Sequence, residues 1–228
     1  MSKEDEKLLC ISRAAELGNR CFDYILGEIR PGITEIELAG KIDAFLLEGG
    51  SEAIAFPTIC VSGERGCLPH GEPSEKLLAE GELLTLDFGA VTGGYCGDMT
   101  RTVAIGFITG KQSEIYGLVL EAQEAAISAV RAGAACRDAD FAARSVIEKA
   151  GYGEYFIHGT GHGVGREVHE PPTLNAKSEE SLKAGDAVTI EPGIYIEGEM
   201  GVRIEDLLII TDTGIINLTT APKGVIII

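Results

Sequence analysis

Apolar residues at Leu8, Ile11, Ala15, Leu17, Phe22, Ile25 and Ile29 recur at near-helical spacing and predict a helix over residues 3–30. The segment PGIT interrupts that pattern, and Thr34 with Glu37 forms a capping-box signature for a second helix ending near Gly49 and Gly50. AFPTICVSG predicts a short strand. The stretch GELLTLDFGAVTGGYCGDMTRTVAIG alternates and turns at Gly93 and Gly94, which predicts a β-hairpin with Asp87 and Asp98 on its two arms. Helical periodicity returns over residues 112–131 and 137–150. A glycine-punctuated loop, HGTGHGVGREVHE, follows at 158–170. GDAVTIEPGIYIEGEMGVRIEDLLII then predicts a second strand pair, bearing Glu191 and Glu205.

The order of two helices and then strands occurs twice, which suggests an internal repeat. GELLTLDFG at 81–89 aligns without gaps on GDAVTIEPG at 185–193, placing glycine on glycine at both ends, Thr85 on Thr189 and Asp87 on Glu191. Arg30-Pro-Gly and Arg131-Ala-Gly each lead into a helix. The expectation is a single domain over residues 1–228 with halves at about 1–108 and 109–228. Such a repeat brings carboxylates to equivalent points of both halves, as a site on a pseudo-twofold axis requires.

Composition narrows the class. With 45% hydrophobic and 24% charged residues, the 228-residue chain is globular and long enough to bury a sizeable core. Its net charge of −17, from 36 acidic and 19 basic residues, disfavours nucleic acid and anionic membranes as partners. No apolar run is long enough for a membrane span, and the acidic, helix-patterned start does not resemble a signal peptide. The six cysteines form no CxxC pair and are expected to be reduced thiols, so a cytoplasmic location is expected.

Of four histidines, His158, His162 and His169 lie in the one glycine-punctuated loop and His70 lies in another, LPHGEP. So concentrated a use of imidazole points to metal ligands or proton shuttles. Taken singly, Asp87 could end a strand, Asp98 could cap a segment, and Glu205 could face solvent. Gathered together, Asp87, Asp98, Glu191 and Glu205 would repel one another unless cations neutralised them. An all oxygen-and-nitrogen set, with His162 and no cysteine, suits divalent Mn, Co, Fe or Zn.

The motifs LPHGEP, LDFGA, GDMTRT, HGTGHGVGREVHE, TIEPGIY and GVRIED, in this order, resemble those of the pita-bread-fold metallopeptidases. This group contains methionine aminopeptidases, Xaa-Pro aminopeptidases and prolidases. The resemblance implies an α+β class: the pita-bread (creatinase/aminopeptidase) fold, with two pseudo-symmetric α/β halves around a strongly curved antiparallel sheet. It implies two divalent metal ions, manganese favoured, held by Asp87, Asp98, His162, Glu191 and Glu205, with Arg203 behind a ligand carboxylate. It also implies His70, His158 and His169 as substrate-binding residues, and His70, His169 and Glu191 as the catalytic set. The implied reaction is hydrolysis of an N-terminal peptide bond by a hydroxide bridging the metals, in a peptide with a free N-terminus; a homodimer is expected.

GVRIED and the short spacing from Glu191 to Glu205 are closest to the catalytic domain of the proline-specific branch, whose usual N-terminal domain is expected to be absent here. Methionine aminopeptidase is the alternative enzyme. A non-catalytic pita-bread binding module is the alternative from another class, disfavoured because no expected ligand is missing.

Overall fold

Helix α1 (Lys3–Leu26) ends before the predicted limit. Gly27 is a poor helix former, and the amides of Glu28 and Ile29 both fall back on the carbonyl of Ile25, at 2.9 and 3.2 Å. Ile11, Phe22 and Ile25 are buried, as the spacing predicts. The capping box of α2 (Glu35–Glu48) is formed: Thr34 Oγ1 accepts from the Glu37 amide at 3.1 Å, and Glu37 accepts from the Thr34 amide at 2.9 Å. A second box, Thr109 with Gln112, starts α3 (Gly110–Ala129) slightly ahead of the predicted helix, and α4 (Cys136–Lys149) packs on α3. These features come from a computed structural model, which describes residues 3–228.

Strands β1 (Ile59–Ser62), β2 (Leu83–Phe88) and β5 (Met99–Ala104) form an antiparallel sheet in the order β1-β2-β5. Between β2 and β5, β3 (Val91–Thr92) and β4 (Tyr95–Cys96) make a small inner hairpin. It turns at Gly93 and Gly94 with φ of 59° and 72°, the region that glycine reaches most easily. The predicted hairpin is therefore two nested ladders with a break on each arm. The second strand pair has the same form. Strands β9 (Gly193–Ile196) and β10 (Met200–Arg203) pair inside, and β8 (Ala187–Ile190) and β11 (Asp206–Thr211) pair outside.

This nesting positions the acids. Asp98 and Glu205 fall at the break before the outer second strand of each set, β5 and β11. Glu191 falls at the break after β8, and Asp87 lies inside β2 next to its last residue.

The histidine segment is more regular than the expected loop. It contributes β6 (Gly161–Gly163) and is followed by β7 (Glu170–Leu174); both join a five-stranded sheet, β12-β11-β8-β6-β7, in which β12 (Gly214–Asn217) is an edge. A methyl added at Gly161 would collide with the carbonyl of Thr189, and one at Gly163 with that of Pro171. Close approach of bare backbone makes this strand, so its sequence carries no apolar alternation to reveal it.

The two strand sets meet where β5 runs beside β10. Thr102 Oγ1 donates to the Arg203 carbonyl at 3.0 Å and accepts from the Arg203 amide at 3.2 Å, while the Glu205 amide donates to the Thr100 carbonyl at 3.1 Å. One apolar core lies under α1 and α2 and another under α3 and α4. Residues 221–228 return to the first: Ala221 is buried there, Ile226 and Ile228 pack against it, and Ala104 exchanges backbone hydrogen bonds with both isoleucines. All six cysteines are free. Among the described residues no helix is long and apolar enough to cross a membrane.

Candidate metal centre and substrate cavity

Asp87, Asp98, His162, Glu191 and Glu205 all line one cavity of about 690 Å³, together with His70, His158, His169 and Arg203. Within it Asp98, His162 and Glu205 form the tightest group, with one potential ligand atom of each lying within 4.8 Å of the others. Glu191 joins through His162 Nε2, 3.1 Å from its Oε1, and Asp98 Oδ2 stands 3.7 Å from the same nitrogen. Asp87 sits apart from that triad, held by Arg203.

His162, Glu191, Glu205 and Asp87 are each oriented by a neighbour. His162 Nδ1 faces the Gly163 carbonyl at 3.1 Å; a carbonyl only accepts, so Nδ1 carries a proton and Nε2 is the nitrogen turned to the acids. Thr189 Oγ1 accepts from the His162 amide and donates to Glu191, both at 3.0 Å, which ties two candidate ligands to one hydroxyl on β8. Thr100 Oγ1 donates to Glu205 at 2.6 Å. Arg203 donates to Asp87 Oδ2 at 2.6 Å, to Tyr195 Oη at 2.9 Å, to the Pro69 carbonyl at 3.1 Å and to Thr100 Oγ1 at 3.1 Å.

Tyr195 in turn lies 2.8 Å from His158 Nε2, while His158 Nδ1 faces the Gly159 carbonyl at 2.7 Å. His158 is thereby fixed in the neutral Nδ1–H form, and burial pushes its pKa down in agreement. The His169 ring lies 4.2 Å from that of His162 between centroids. His70 is exposed at the end of a loop.

The electrostatics call for cations. Asp98 is pushed well above the usual carboxyl range, first by burial and then by Glu205, Asp87 and Glu191. Burial, followed by Glu191 and Asp87, raises Glu205 well above its ordinary value. Burial also raises Asp87, and Arg203 offsets only part of this. Burial acts upward on Glu191 too, but the His162 hydrogen bond and charge outweigh it and hold that carboxyl at about 2. Burial acts downward on His162 and is outweighed by Glu191, so its pKa rises. A cation among these groups would replace the proton on Nε2 and relieve the acids together. Among the described residues Asp87 Oδ1 is buried without a hydrogen-bond partner, a cost that a ligand would remove. The residues therefore fit divalent metal.

Several groups that build the site are silent in the sequence. Tyr195 sits in an alternating strand where it is indistinguishable from core, and Thr100 and Thr189 are ordinary strand residues until their partners are known. The gapless alignment of Thr85 on Thr189 marked one of the two halves' threonines, without saying what it holds.

Fold and site together are those of the pita-bread class. The chain belongs to metallopeptidase family M24, whose sequence model matches residues 9–212. It is 42% identical over 221 residues to a Xaa-Pro dipeptidase of Pyrococcus furiosus, covering 97% of this chain and 64% of the relative. Among solved structures it is similar to a Xaa-Pro dipeptidase from Bacillus anthracis, with TM-score 0.97, 46% identity, 98% of this chain and 63% of that one. An X-Pro aminopeptidase from Thermotoga maritima gives TM-score 0.96 and 39% identity, over 100% of this chain and 65% of that one. The chain thus spans somewhat less than two-thirds of the length of each of these relatives.

Proposed function

We propose that the chain is the catalytic part of a dinuclear metallopeptidase that hydrolyses the first bond of Xaa-Pro peptides. The observation that carries this reading is the largely buried four-carboxylate, one-histidine set, in which Asp87 Oδ1 has no hydrogen-bond partner among the described residues. In this reading Asp87, Asp98, His162, Glu191 and Glu205 hold two divalent ions. Bound there, the ions would supply Lewis acidity and lower the pKa of a coordinated water toward neutrality.

The remaining chemistry belongs to side chains of the cavity. Glu191, oriented by Thr189, takes a proton from the attacking water and delivers it to the leaving nitrogen. His169 donates to the scissile carbonyl oxygen as negative charge develops there. His70 contacts the substrate beside the same bond. His158 has both ring nitrogens occupied, so it serves as a wall of the pocket. Phe56, Pro57 and Val168 line the cavity as well, an apolar surface suited to a prolyl ring. The likeness to a Xaa-Pro dipeptidase and to an X-Pro aminopeptidase supports proline specificity.

The same reading takes manganese as the native metal, a peptide with a free N-terminus as substrate, a homodimer as the assembly and the cytoplasm as the location. The free cysteines support the last of these. The halves at about 1–108 and 109–228 are taken as a duplicated unit within one catalytic domain; the two nested strand sets support this.

The test is a peptide panel with Mn, Co or Zn added to metal-stripped protein, comparing Xaa-Pro dipeptides, longer Xaa-Pro peptides and Met-Ala-Ser. Cleavage of Xaa-Pro bonds in proportion to bound metal is expected. Release of methionine without Xaa-Pro cleavage would make the chain a methionine aminopeptidase. Failure to bind any divalent metal would leave only a binding module.

A further inference from the structure

We propose that Glu35 is a positioning residue for His70: its buried carboxylate closes residues 62–74 into a rigid loop and so fixes where that imidazole enters the cavity. The inference rests on the functional reading of the cavity above. Glu35 opens α2, is 0% exposed, and does not line the cavity. Burying a carboxylate is costly unless its oxygens are satisfied, and here the loop satisfies them. Oε1 accepts from the Ser62 amide at 2.8 Å and from Ser62 Oγ at 3.2 Å. Oε2 accepts from the Ser74 amide at 3.1 Å, Ser74 Oγ at 2.7 Å and Arg65 Nε at 3.0 Å.

Ser62 ends β1 and Ser74 lies just past LPHGEP, so one side chain clasps both ends of the loop. Arg65 carries the hold inward by donating to the Glu72 carbonyl at 2.6 Å. The first amides of α2, from Glu35 and Ile36, donate to the carbonyls of Lys76 and Ser74 at 3.0 and 3.1 Å and seat the helix on the same segment. The His70 ring has no hydrogen-bond partner among the described residues. Its position is therefore set by the loop's backbone, anchored at the base by Glu35 and near the tip by Arg203 on the Pro69 carbonyl.

The second half repeats the device. Asp140, 0% exposed on α4, accepts from Thr160 Oγ1 at 3.0 Å and from both Arg144 Nε and Nη2. Arg144 donates to the carbonyls of Phe156 and His158 at 2.9 and 2.8 Å. In each half a buried acid on the second helix holds the segment that presents a cavity histidine. That recurrence argues for a positioning role over a merely stabilising one.

The experiment compares Glu35→Gln, Ser74→Ala, His70→Ala and the Glu35→Gln/His70→Ala double variant, each loaded with Mn. Glu35→Gln is expected to keep its metal content and lose about 10²-fold in kcat/KM on Xaa-Pro peptides, the scale of an ångström-sized misplacement. Amide exchange across residues 62–74 should rise and the His70 imidazole NMR signals should broaden. Ser74→Ala should show the same changes to a smaller degree, and it decides the matter if Glu35→Gln does not fold. In the His70→Ala background the Glu35 change should cost less than about threefold, because the two act through one group. Unchanged exchange with unchanged kcat/KM in either variant, or full multiplication of the two losses, would overturn the proposal. Should the wild-type protein cleave no peptide, the functional reading fails on its own, while exchange and the His70 signals still decide what Glu35 holds.

Discussion

Two histidines 4.2 Å apart by ring centroid carry different roles, and substitution separates them. His162→Ala removes the nitrogen facing Asp98 and Glu191, so metal content, measured by atomic absorption, should fall by one ion, with activity lost. His169→Ala touches none of the acids; it should retain metal and lose about 10²–10³-fold in kcat, the scale of one oxyanion donor. A fully active His169→Ala would refute its assigned role. Arg203→Lys is a sharper test of orientation. The guanidinium reaches Asp87, Tyr195, Pro69 and Thr100 at once, and an ammonium cannot reproduce that fork. Metal affinity by titration should fall about 10–100-fold, as for loss of other groups that support ligands.

The elements were legible in the sequence where periodicity or caps were strong. Helices α1 to α4 were read nearly to their ends, because apolar spacing and the Thr34–Glu37 box leave few alternatives. Strand β6 was not, since Gly161 and Gly163 are there to admit neighbouring carbonyls and contribute no side chain to a pattern. Gly161→Ala should therefore push β6 off β8 and displace His162; a drop in metal affinity with retained helical circular dichroism is expected. Thr109→Ala offers the contrast, since its cap lies away from the cavity. It should cost about 1 kcal/mol in denaturant unfolding and leave kcat unchanged. An altered kcat would show that α3 reaches the site in some way its contacts do not reveal.

For the whole molecule, metal and stability are coupled. Asp98 and Glu205 have folded-state pKa values well above the ordinary carboxyl range. Their contribution in metal-stripped protein is fully present below about pH 4, the unfolded value. It is lost as pH rises from there through the raised folded values. Stripped protein should thus lose Tm from these two groups as pH climbs through and above the carboxyl range. Added Mn should raise Tm in a concentration-dependent manner, each site adding about 2.7 kcal/mol of stability at a hundredfold excess over its Kd. A Tm indifferent to metal at neutral pH would contradict the site. The four acids and His162 that line the cavity were candidates in the sequence already, the acids through the suggested repeat and His162 through the clustering of histidines. Tyr195 and Thr189 were not, since each stands in its strand like any core residue, and neither was Thr100, whose contact with Glu205 spans 105 residues.

Arg101 shows what that separation means in time. It is 1% exposed on β5, and its guanidinium donates to the carbonyls of Glu205, Ala221 and Pro222 and to Asp206 Oδ1. Every one of those acceptors lies a hundred or more positions further along the chain. During synthesis from the amino end, β5 is made long before any of these acceptors exists, and only the neighbouring Thr100 carbonyl, 2.9 Å from Nη1, is there to receive the guanidinium. The first half's core likewise waits for Ile226 and Ile228 to cover it. Halves that look self-sufficient in space are therefore interdependent in order of synthesis. The acids gathered at their junction come together only once nearly all of this chain has been translated.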